Sequence, residues 1–101
     1  MGCSESKTVI NYNMDGHVSE GYDPVKTGLE MLYQIGIDKN SQLCVYVGDE
    51  LVVDLCGSTP GSNPNAPEFT HETPTPVWSS CKAFAAVLMA MLVDRGHLDY
   101  N

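Results

Sequence analysis

The chain has 101 residues, which suits one small domain and not two. Hydrophobic residues make up 43% and charged residues 18%, the balance of a globular chain and not of a disordered one. The net charge of -8, with Lys7, Lys26, Lys39, Lys82 and Arg95 scattered singly, argues against nucleic acid as a partner and predicts an acidic, solvated surface.

The four cysteines, Cys3, Cys44, Cys56 and Cys81, match no zinc spacing. No apolar leader precedes them, so they read as reduced thiols in a cytosolic compartment. His17, His71 and His97 lie far apart and match no metal pattern. No metal and no cofactor is expected.

The first residues, Met1-Gly2-Cys3-Ser4-Glu5-Ser6, fit an N-myristoylation signal with Gly2 as acceptor. Cys3 beside it is a candidate for palmitoylation. Two acyl chains would hold the protein on the cytoplasmic face of a membrane, where one alone binds marginally. The competing reading is a plain flexible N-terminus over residues 1–15, ahead of a domain over 16–101. Residues 8–20 are expected to be an extended lead-in with a turn at Asp15-Gly16.

Asp23-Pro24 reads as a helix start, with Asp23 as N-cap and Pro24 in the first helical position. Val25, Leu29, Leu32, Tyr33 and Gly36 then form one apolar stripe. The helix is expected to end near residues 35–37. Leu43-Cys44-Val45-Tyr46-Val47 and Leu51-Val52-Val53-Asp54-Leu55 flank Gly48-Asp49-Glu50 and predict an antiparallel hairpin. In that register Cys44 pairs near Val53 or Asp54, and Cys56 falls about two positions beyond, poor geometry for a disulfide. Both strands are apolar on both faces over most of their length, as in the interior of a larger sheet. Residues 57–76 are a long connection rich in proline, glycine and small polar residues.

A final helix is predicted over residues 79–95, with Gly96 just past its end. Its core, residues 83–93, is apolar on every side, and too short to cross a bilayer. Such a helix is expected to be buried all round. One hairpin and one amphipathic helix cannot enclose it. The sequence is therefore expected to be the N-terminal part of a larger domain, or to need a partner to complete its core.

Ser79 and Lys82 stand at the start of this helix, three residues apart. A helix advances about 100° and about 1.5 Å per residue, so both fall on one face. A serine becomes a nucleophile when a base takes its proton, and a lysine does so when burial favours the free amine. Unpaired N–H groups at a helix start would favour a developing oxyanion. The competing reading makes Ser79 or Ser80 an ordinary N-cap and Lys82 an exposed first-turn residue. Ser4 and Lys7 repeat the same spacing, so the spacing alone is weak. Asp54 and Asp99 read as surface or capping residues. His71-Glu72 lies in the long loop, where a substrate contact is conceivable but unsupported.

The segment Thr75-Pro76-Val77-Trp78-Ser79-Ser80-Cys81-Lys82-Ala83-Phe84 resembles the active-site region of the beta-lactamase-related serine hydrolases, the group of class C beta-lactamases, related esterases and penicillin-binding proteins. Met91-Leu92-Val93-Asp94-Arg95-Gly96-His97-Leu98-Asp99-Tyr100 resembles the end of that family's buried helix. Gly16-His17-Val18 with Gly21-Tyr22-Asp23-Pro24-Val25 resembles its first helix region, and residues 45–55 its first hairpin. The resemblance implies an α/β (α+β) fold: helix, antiparallel β-hairpin, long loop and a buried nucleophile-bearing helix. It implies Ser79 as the acylated nucleophile, Lys82 as its proton partner and the Ser79 backbone N–H as one oxyanion donor. It implies a packing role for Cys81. The substrate would be a small ester or amide. The family's later tyrosine motif and its lysine- or histidine-containing strand have no counterpart here; Tyr100-Asn101 lacks the motif's spacing. Negligible activity in isolation is therefore expected. The alternative is a non-catalytic, lipid-anchored relative that binds a partner protein through uncovered apolar surface.

Overall fold

A computed structural model describes residues 9–101. The acylation candidates Gly2 and Cys3, and the second serine–lysine pair Ser4 and Lys7, lie outside the described residues. The elements run β1 (Asn13–Val18), α1 (Asp23–Gln34), β2 (Asn40–Val47), β3 (Glu50–Ser58), a 3-10 turn (Trp78–Ser80) and α2 (Cys81–Asp94). This is a mixed α and β arrangement compatible with part of a beta-lactamase-like fold.

Among the described residues the sheet has three antiparallel strands in the order β1-β3-β2. The hairpin β2–β3 closes through Gly48-Asp49, with Val47 opposite Glu50. Gly48 has φ 60, as a two-residue turn with glycine in its first position requires. Cys44 lies opposite Asp54 and not opposite Cys56, and both thiols are free.

The expected turn at Asp15-Gly16 is replaced by a strand. β1 runs straight through both residues, pairing Asp15 with Cys56 and Gly16 with Leu55. Gly16, at φ 120, lets β1 approach so closely that a Cβ there would collide with the Asp54 carbonyl. The glycine marks a close backbone contact, not a reversal. β1 also begins at Asn13, inside the stretch expected to be flexible.

The third strand also changes the reading of the hairpin. β3 is central, with Val52, Val53, Leu55, Cys56, Gly57 and Ser58 all buried. β2 is an edge strand. Ser41, Leu43 and Val45 are half-buried on one side, while Asn40, Gln42 and Cys44 are exposed on the other. Its alternation is that of a strand with one solvated face, and not of a sheet interior.

α1 covers one face of the sheet. Tyr22, Val25 and Leu29 pack with Met14, Val18, Leu43 and Val45 around Val52, Val53 and Leu55. Tyr33 is 0% exposed and lies over Gly57, where any side chain would strike its ring. Its hydroxyl hydrogen-bonds Ser41 Oγ at 2.8 Å, and Tyr12 packs on its ring at 5.4 Å between centroids. Leu32, expected in the same stripe, is exposed on the flank. The helix starts one residue earlier than the Asp23 cap implied: Tyr22 is the N-cap and makes no side-chain cap bond. At its end the N–H groups of Gly36 and Ile37 donate to the carbonyls of Tyr33 and Leu32, which closes the helix as a Schellman motif.

Residues 59–77 cross the opposite face of the sheet, where Cys56 and Ser58 are buried. α2 then leaves the body. Among the described residues it packs only against the 3-10 turn before it, and residues 81–91 are exposed. The expectation of a helix buried all round is thus corrected. One face of the sheet is occupied by α1 and the other by the loop, and α2 meets no described strand and no other described helix, although Met31, Ile35, Ile37, Tyr46 and Val47 remain exposed on the body. No described helix is long and apolar enough to cross a membrane.

Candidate active site

Pro74 and Pro76 fix their own φ and bias Thr73 and Thr75 towards extended backbone, so residues 73–76 form a stiffened strut leading out of the loop. The strut leads to Trp78, which has φ 48, the one positive φ at a non-glycine among the described residues. A bulky residue in that region costs about 1–3 kcal/mol, and such strain concentrates at functional sites. The 3-10 turn follows, and α2 begins at Cys81, two residues later than the sequence suggests.

Ser79 and Lys82 come together across this junction. Lys82 Nζ lies 3.4 Å from Ser79 Oγ and donates to it. The contact is at the long end of hydrogen-bond distance, within the range over which unliganded catalytic pairs are found. Ser80 is the N-cap of α2, without a side-chain cap bond, and Lys82 is an exposed first-turn residue, as the capping reading expects. Both Ser79 and Lys82 are exposed. The burial expected for Lys82 is therefore not provided by the described residues, because α2 stands clear of the sheet. Cys81, expected to pack, is exposed for the same reason.

The remaining sequence candidates fall elsewhere. His71 Nδ1 lies 3.4 Å from Asp54 Oδ1, across the loop-covered face of the sheet. Asp54 is thus the partner of a loop histidine, a pairing that residues 17 positions apart do not announce. Burial, and then the nearby Asp15 and Asp54 carboxylates, push the Cys56 thiol above its ordinary range. His17 contacts Ser19 Oγ at 3.3 Å, and the Asp99 carboxylate accepts from the Asn101 backbone N–H at 3.1 Å. Among the described residues no three His, Cys, Asp or Glu side chains converge as metal ligands would. A cavity of about 850 Å³ lies between the loop and the end of the sheet, but no residue beyond Pro74 lines it. The residues that sequence reasoning missed are those that hold the loop: Gln42 donates to the carbonyls of Thr70 and Thr73 at 2.7 and 3.1 Å.

The model of the Beta-lactamase family matches residues 39–101, and the chain belongs to that family. At the family level it is a beta-lactamase-like hydrolase. No curated protein and no solved structure matches the chain.

Proposed function

We propose that Ser79 is an acyl-accepting nucleophile and Lys82 its proton partner, in hydrolysis of a small ester or amide. The observation that carries this reading is the 3.4 Å contact between Lys82 Nζ and Ser79 Oγ. In the free-amine form Lys82 takes the hydroxyl proton as Ser79 Oγ attacks the substrate carbonyl carbon. The resulting oxyanion is met by backbone N–H groups at the start of α2, that of Ser79 among them. Collapse breaks the bond to the alcohol or amine, which leaves with the proton returned by Lys82. Water then attacks the acyl-serine and frees the acid. Both side chains stand in solvent, and the dry, closed cleft that strengthens such charge stabilisation is not formed by the described residues. Turnover by the chain in isolation is accordingly negligible.

The test is a fluorophosphonate probe followed by intact-mass and peptide analysis. A slow single adduct on Ser79 is expected, absent in Ser79→Ala and retained in Ser80→Ala. Labelling that persists in Ser79→Ala would refute the assignment. Fast turnover of a p-nitrophenyl ester by the isolated chain would refute the claim of negligible activity.

A second reading is favoured by α2, where Phe84 is 74% and Leu88 58% exposed. Here the chain is a non-catalytic member that docks a partner protein on that helix, held at a membrane by acylation of Gly2 and Cys3. It predicts recovery with membranes that Gly2→Ala abolishes, and a stable complex that Leu88→Asp disrupts. A chain that remains monomeric, unacylated and unbound in cells would exclude it.

A further inference from the structure

We propose that Gln42 is a positioning residue for the Ser79 segment, acting through the loop turn at residues 70–73; this rests on the reading of Ser79 as the nucleophile. Gln42 sits on edge strand β2, opposite Cys56, on the face away from α1. A carboxamide has two N–H protons. Gln42 commits its nitrogen to two carbonyls of one turn, Thr70 at 2.7 Å and Thr73 at 3.1 Å.

That turn is itself closed. Thr73 N–H donates to the Thr70 carbonyl at 3.1 Å, and Thr70 N–H donates to Thr73 Oγ1 at 2.9 Å. Glu72 N–H donates to Thr70 Oγ1 at 3.3 Å. His71 adds a second anchor at Asp54 on β3. The turn therefore touches the sheet at two points, Gln42 on β2 and Asp54 on β3. The strut begins at the residue Gln42 holds. Pro74 and Pro76 each fix one φ and bias the residue before them to extended backbone, which narrows the torsional freedom between the turn and the bend at Val77-Trp78 that precedes Ser79. A semi-rigid proline segment transmits position, where a glycine- or serine-rich one would not. Gln42 thus sets the point from which the strut leaves the sheet towards the nucleophile, without approaching it.

The test is Gln42→Glu, nearly isosteric and on an exposed strand face. It turns both donations into lone pairs facing two carbonyl oxygens. Trp78 is the single tryptophan of the chain and adjoins Ser79, so its fluorescence anisotropy reads the strut directly. The expected result has three parts. Amide exchange in residues 70–77 speeds up while that of β3 does not. The residual anisotropy of Trp78 falls. The maximal rate of fluorophosphonate labelling at Ser79 drops about 10-fold or more, at an unchanged half-saturating probe concentration. Gln42→Met, neutral and without donors, replaces the glutamate variant should the latter fail to fold. Unchanged Trp78 anisotropy would overturn the proposal. So would faster turn exchange at an unchanged labelling rate, which would leave Gln42 a merely structural tether. If Ser79 does not label in the unmodified chain, the catalytic reading is at fault. The exchange and anisotropy arms then decide the tether by themselves.

Discussion

Tyr33→Ala is expected to remove a large part of the domain's stability. Removing a buried aromatic ring costs about 3–5 kcal/mol, against a total stability of about 5–15 kcal/mol for a typical domain. The site has little capacity to relax. The ring is fully buried between α1 and β3, on a glycine that cannot fill the space it vacates. The loss should appear as absent or strongly shifted urea unfolding monitored by circular dichroism. A midpoint within error of the parent would mean that the ring does not anchor α1. Tyr33→Phe keeps the ring and loses the bond to Ser41, for a cost of about 1 kcal/mol. It also removes part of an alkaline instability. Burial raises the Tyr33 phenol above its ordinary value, with the Ser41 hydrogen bond opposing and Asp38 adding to the rise. A group that binds its proton more tightly when folded stabilises fully below its unfolded pKa, and that contribution is lost as pH rises through the folded one. Stability should therefore fall above about pH 10, less steeply in Tyr33→Phe. The raised Cys56 thiol acts in the same direction from about pH 8.5 upward.

Lys82→Ala is expected to slow adduct formation at Ser79 by about 10²–10⁴-fold, the usual range for a general base. The pH dependence separates a base from a mere neighbour. In the parent the rate climbs as the ammonium gives up its proton; in Lys82→Ala that rise is lost. Lys82→Arg should not restore it, because a guanidinium remains protonated and can only donate. Equal labelling of Lys82→Arg and the parent across pH would dismiss Lys82 as the base. Stability is no confounder, since Lys82 is exposed and α2 packs only against the turn before it.

What could be read from the chain was local. Ser79 and Lys82 are one helical turn apart, so their approach follows from periodicity and needs no knowledge of the fold. Gly48-Asp49 between β-branched runs defined the hairpin, and Gly96 the end of α2. β1 was hidden because Asn13, Asp15, Gly16 and His17 lack strand-forming side chains, and its pairing depends on a strand that comes much later. Gln42 is an unremarkable polar residue on an edge strand. Its partners lie 28 and 31 positions away, in a loop without periodicity. The rule that an apolar helix must be covered named a need correctly, and the described residues supply nothing that meets it.

The strand order has a consequence in time. β2 and β3 are joined by a two-residue turn, and such a hairpin closes within about 1–10 μs once both strands exist. Among the described strands β1 pairs only with β3, so it has no partner until β3 has been made. During synthesis β1 and α1 leave the ribosome first and wait, with the apolar side of α1 uncovered. Closing that long-range contact is the slow step that topology imposes. Of the three described strands, the one central in space is thus the last to arrive.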